Sequence, residues 1–89
     1  MKTVFLDGDL ADRSTLLRRL AEHLDFPPHA AANLDALWDV LRTDVEGPFE
    51  LVWRDHAAAR AAMGTEFEKI VSLLAQLAEE RRDFAFRLA

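Results

Sequence analysis

The stretch "NLDALWDVLRTDVEGPFELVW", residues 33–53, holds a helix, a break and a strand in one line, and its reading decides the fold. Leu34, Leu37 and Leu41 recur at i, i+3 and i+7, the apolar stripe of an amphipathic helix. Asn33 stands just before them as the N-cap, where its side-chain oxygen accepts from a backbone N–H that has no partner within the helix. The helix ends near "RTDVEGP", where Gly47 and Pro48 break the chain. In "FELVW", Phe49, Leu51 and Trp53 alternate with Glu50 and Val52, which is the period of a strand.

Helices and strands also alternate on either side, without an internal sequence repeat. Upstream, "TVFL" (residues 3–6) is a short apolar run stopped by the turn signal "DGD". "STLLRRLAEHL" follows as a helix with Ser14 as N-cap and Leu16, Leu17, Leu20 and Leu24 on its stripe. Pro27 and Pro28 close it and force an extended link, "DFPPHAAA", to Asn33. Downstream, "DHAAARAAM" reads as an alanine-rich helix, with Asp55 near its start and Gly64 as the C′ residue.

Thr65 and Glu68 have the spacing of a capping box, opening a helix whose stripe is Phe67, Ile70, Val71, Leu74 and Leu77. Arg81 and Arg82 suit the negative end of its macrodipole. "FAFRL" (84–88) alternates as a last strand. Strands separated by helical crossovers favour parallel pairing with right-handed connections. The expected fold is one α/β domain over residues 1–89, a three-stranded parallel sheet flanked by four helices.

Composition narrows the function. In 89 residues, 16 acids against 11 bases give a formal charge of −5, which opposes a phosphate backbone and argues against nucleic-acid binding. The excess is local: Asp35, Asp39, Asp44, Glu46 and Glu50 are accompanied only by Arg42. There is no cysteine, hence no disulfide framework or thiolate zinc site. No apolar run reaches the length of a membrane span, and "MKTVFLDGDL" does not read as a signal peptide; a soluble, cytoplasmic protein is expected.

Catalysis is not expected. His23, His29 and His56 form no recognisable metal-ligand spacing, "GDLADRST" lacks the glycines of a phosphate cradle, and no nucleophile accompanies a histidine. Asp35 and Asp39 could be an acid–base pair, but four residues apart on one helix both would point the same way instead of flanking a substrate. Neither a cofactor nor a metal is called for.

Asp35 and Asp39 therefore pose a question. Two like charges at i, i+4 cost a helix roughly 0.2–0.5 kcal/mol, and Trp38 sits beside them. Asp35 lies in the first turn, where the macrodipole welcomes any acid; Asp39, mid-helix, has no such support. Such a field would steer a cationic partner toward contact.

Pro27, "NLDALWD", Leu41, Val45–Glu46, Pro48 and Trp53 together resemble the barstar family, intracellular bacterial inhibitors of a secreted ribonuclease. The resemblance follows the whole chain in element order and is dense between residues 27 and 53. It implies a small parallel sheet with four helices and a cis peptide bond before Pro48; separately, the free protein is expected to be a monomer. It also implies that the helix from Asn33 and the preceding loop plug the active site of a small, secreted, guanine-specific ribonuclease of the barnase kind. Asp39 would enter the pocket for the substrate phosphate, Asp35 would meet neighbouring cations, and Asn33, Trp38, Val45 and Glu46 would complete the contact. Where the family has a tyrosine, this chain has His29, and a glycine two residues on is Ala31; a tryptophan is replaced by Asp44, and a glutamate on the last helix by Gln76. These departures leave room for an alternative, a barstar-fold interaction module whose client is a different nuclease or toxin.

Overall fold

The computed structural model describes residues 2–27, 29 and 32–89. Its elements run β1 (Lys2–Leu6), α1 (Arg13–Leu24), α2 (Leu34–Asp39), β2 (Phe49–Trp53), α3 (His56–Met63), α4 (Thr65–Glu80) and β3 (Phe84–Leu88). Helix α2 runs on into a π-helical turn, Val40–Asp44. The strands pair in the order β1-β2-β3, both pairs parallel, with Val4 opposite Leu51 and Leu51 opposite Phe86. The α/β fold with three parallel strands and four helices is the expected one. Pro28 and Ala31 of the link to α2 lie outside the described residues.

The strand period divides the sheet. Val4, Leu6, Phe49, Leu51, Trp53 and Phe84 point into one core with the helix stripes. Thr3, Phe5, Ala85 and Arg87 point the other way and are exposed, while Val52 is covered among them. Phe5, 44% exposed, lies beneath the Arg54 guanidinium at 4.5 Å, a cation–π contact. Trp53 is fully buried, its ring centroid 4.9 Å from that of Phe67, and its indole N–H donates to the Asp7 carbonyl at 3.1 Å. That bond satisfies the one polar group the large ring takes out of water. No helix among the described residues is long and apolar enough to cross a membrane.

Helix ends correct some of the sequence reading. Asp12, not Ser14, caps α1: its backbone is extended, and its carboxylate accepts from the Thr15 N–H at 2.7 Å. Bonds from Thr15 hold the Asp12 carboxyl below the usual carboxylate range. At the other end, Asp25 turns left-handed (φ 58°) and stops the helix before Pro27. The Thr65–Glu68 capping box does not form. Thr65 is already helical, Gly64 occupies the cap at φ 64°, and Glu68 reaches Arg60 at 2.9 Å instead. Gly64 also closes α3, donating to the Arg60 carbonyl; its positive φ allows two helices to meet at one residue.

Candidate partner-binding surface

Helix α2 begins as the sequence predicts. The Asn33 side-chain oxygen accepts from the Ala36 N–H at 2.8 Å, and Asp35 sits in the first turn. Leu37, Val40 and Leu41 are buried, Leu34 and Trp38 pack partly against the core, and Asp35 and Asp39 face solvent. The stripe thus anchors the helix and leaves an acidic face with half of an indole beside it.

The last turn is wider than an α-turn. The Val45 N–H reaches back five residues to the Val40 carbonyl at 3.2 Å. Side chains also bond carbonyls around this turn. Thr43 Oγ1 donates to the Asp39 carbonyl at 2.7 Å, and Arg81 Nη1 donates to the carbonyls of Leu41 and Val45 at 2.6 and 2.8 Å.

The acids here differ from seven of those elsewhere, although Asp12, Glu22, Glu50, Asp55 and Glu79 likewise meet no basic side chain among the described residues. Asp7, Asp9, Glu66, Glu68 and Asp83 each meet a basic side chain within 4.0 Å. Among the described residues, Asp35, Asp39, Asp44 and Glu46 meet none. Arg42, the only base in this segment, reaches Glu80 on α4 at 4.0 Å. Four carboxylates are thus presented to solvent along α2 and the loop after it.

Beside this face, α2 and α4 enclose an open groove of about 480 Å³ lined by Leu34, Asp35, Trp38, Glu68, Lys69, Ser72, Leu73 and Gln76. It brings Asp35, Trp38 and Gln76, predicted separately, onto one concave surface. Leu73 was missed; it lies off the α4 core stripe, three residues before Gln76, and an apolar residue out of phase with its stripe was the available signal. His29 and Asp44 are exposed, whereas Val45 is only 7% exposed and packs in the core. The Val45 side chain is thus turned away from the exposed face, and its backbone N–H and carbonyl are bonded within the chain to Val40 and Arg81. No group of three or more His, Asp or Glu among the described residues is placed to hold a metal ion.

Arg81 is a further feature that sequence reasoning misassigned. It follows α4, but its side chain is turned back to the end of α2 and is only 13% exposed. Its Nε and Nη2 pair with both oxygens of Asp83 at 2.8 and 2.7 Å, and its guanidinium lies 4.9 Å from the Phe49 ring centroid. The fork holds the Asp83 carboxyl below the usual carboxylate range. Gly47 abuts this fork, and the Gly47–Pro48 bond is cis, as the resemblance implied.

Sheet, helices and acidic face together define a small α/β domain that displays a charged helix instead of a closed cavity. The chain belongs to the family described as Barstar (barnase inhibitor), whose model matches residues 1–89. It is also 31% identical, over 84 residues, to the Bacillus subtilis (strain 168) protein named "Putative ribonuclease inhibitor YrdF", covering 93% of this chain and 92% of that one.

Proposed function

We infer that this protein is a ribonuclease inhibitor, and that α2 with its flanking loops blocks the active site of a small, secreted, guanine-specific ribonuclease. The observation that carries the reading is the pair of exposed carboxylates on α2, Asp35 and Asp39, which have no cationic partner among the described residues. Family membership and the name of the Bacillus subtilis relative support it.

The mechanism follows from what such an enzyme must contain. A nuclease stabilises a phosphoryl-transfer transition state with arginine, lysine and histidine gathered in one pocket. Asp39 stands in for the phosphate in that pocket, Asp35 pairs with a neighbouring cation, and Trp38 and Asn33 seal the edge. Bidentate carboxylate–arginine bonds are the strong, geometrically selective kind. The repulsion between Asp35 and Asp39 is then a cost of the free protein, relieved by the partner's cations.

Titrating a panel of small secreted ribonucleases tests this directly. Residual activity should fall stoichiometrically for at least one of them, with affinity that weakens as salt rises. Retention of full activity across the panel would count against the inhibitor reading. His29, Asp44 and Gln76 favour a target other than barnase itself, and under the alternative, a client that is a different nuclease or toxin, the whole panel would stay unbound and fully active.

A further inference from the structure

We propose that Arg81 is a positioning residue for the recognition helix, clamping the end of α2 and the Val45–Glu46 loop to the start of β3. Resting on the inhibitor reading above, this assigns a function to a residue whose sequence position points to a different helix.

Three observations support the clamp. First, one guanidinium nitrogen donates to two carbonyls of the same helix end, those of Leu41 and Val45. A helix C-terminus leaves carbonyls without partners, and a cation there meets both the missing bonds and the negative pole of the dipole. Second, the other two donors of the fork are fixed by Asp83, and the planar group lies against the Phe49 ring, so the guanidinium has little freedom. Third, Gly47 gives the fork room: a Cβ there would fall on the Asp83 carboxylate.

The arrangement suits an inhibitor. The π-helical turn lies between Asp39 and Glu46, and such wide turns are rare, occurring mostly as single-turn bulges and frequently at functional sites. Without an external brace, the Leu41 and Val45 carbonyls at its end would turn to water and the turn would sample other paths. With the brace, Asp39 and Glu46 keep a fixed separation before the partner arrives, and less order has to be imposed on binding.

Charge makes the proposal separable from simple electrostatics. Replacing Arg81 by a neutral residue makes a chain of formal net charge −5 more acidic. Steering alone would then tighten binding to a cationic nuclease; loss of the clamp weakens it.

The test compares wild type, Arg81→Met and Arg81→Lys by amide hydrogen exchange on the free protein and by inhibition of a ribonuclease that the wild type blocks. In Arg81→Met the amides of Asp44 and Val45 should exchange at least about tenfold faster, beyond any change at Leu51 and Val52 in β2. Affinity should fall about tenfold, the scale of one charge-assisted hydrogen bond. Arg81→Lys, which keeps the charge without the fork, should recover part of both losses. Equal exchange changes at Val45 and Leu51, or an Arg81→Met protein that binds as tightly as wild type or tighter, would overturn the proposal. If Arg81→Met does not fold, Arg81→Lys is judged by the same two criteria. Should the wild type block no ribonuclease, the inhibitor reading fails on its own, and the exchange comparison still decides whether Arg81 clamps the helix.

Discussion

The hydroxyl of Thr43 hydrogen-bonds the main-chain carbonyl of Asp39 at 2.7 Å, so the backbone of Asp39 is satisfied within the chain while its exposed carboxylate is not. Rigid main chain with an unspent charge is the combination a binding residue needs. Ordering has already been done, and desolvation is compensated only when a cation arrives.

Asp39→Ala should therefore weaken ribonuclease binding by ~2–5 kcal/mol, a general range that itself draws on the barstar family. Glu22→Gln removes an equal charge from an exposed site on α1, beside Arg18 and Arg19, and should leave binding within a few tenths of a kcal/mol. Asp12→Ala is unsuited as that control, because Asp12 caps α1 and its loss should lower Tm by a few degrees. Inhibition titrations with thermal melts of all three variants separate the effects. Equal affinities for Asp39→Ala and Glu22→Gln would refute the assigned face.

Gln76→Glu places a carboxylate in the groove that already holds Asp35 and Glu68. With no partner, the added repulsion costs little across an open surface. Against a cationic nuclease it should tighten binding two- to tenfold and steepen the salt dependence, because another counter-charge enters the contact. Kd values at two ionic strengths measure both; an unchanged salt slope would move Gln76 out of the interface.

Much of this was legible in the chain, for physical reasons that differ by element. "FELVW" and "FAFRL" alternate with period two and stand between helical runs, so strand identity and parallel pairing follow from pattern and connectivity alone. The Asn33 cap is local, and it forms as read. Other features depend on φ values or on distant partners. Ser14 and Asp12 are equally good caps by residue type, and only the extended backbone at Asp12 selects between them. Thr65 loses its capping role because Gly64 adopts a positive φ that joins two helices. The Arg81 contacts span about half the chain, to Leu41 and Val45, beyond the reach of any local rule.

The two tryptophans give an optical test. Trp53 is fully buried and hydrogen-bonded, whereas Trp38 lies half-buried at the groove. Acrylamide should quench Trp38 selectively, and Trp38→Phe should leave an emission that the quencher barely reaches. Adding the target ribonuclease should shield Trp38, most cleanly with a tryptophan-free form of the enzyme. Unshielded Trp38 in a stoichiometric complex would place the interface elsewhere.

Acid stability has a defined sign. Hydrogen bonds from Thr15 to Asp12, and from Arg81 to Asp83, depress both carboxyl pKa values relative to the unfolded chain. What they add to stability is fully present above the ordinary carboxylate pKa of about 4, and is lost as pH falls through the lower folded values. Tm should thus lose these two contributions only below about pH 4. Asp12→Asn and Asp83→Asn should each flatten that acid limb, in melts taken from neutral pH downward. Variants that keep the wild-type slope would show that these bonds do not set the acid limb.

Gly47 links this acid behaviour to the acidic face. A methyl group at position 47 would overlap the Asp83 carboxylate, and the cheapest escape is rotation of that side chain away from Arg81. Gly47→Ala should accordingly return the Asp83 carboxyl toward its ordinary pKa, because its largest depressing cause, the Arg81 hydrogen bonds, is gone. It should also lower Tm by several degrees and speed exchange at Val45, since the released guanidinium holds the Leu41 and Val45 carbonyls less firmly. A carboxyl-carbon NMR titration reads the first effect and amide exchange the last. If the Asp83 titration stays depressed in Gly47→Ala, the backbone has yielded instead of the side chain, and exchange at Val45 should then rise without any change in the acid limb.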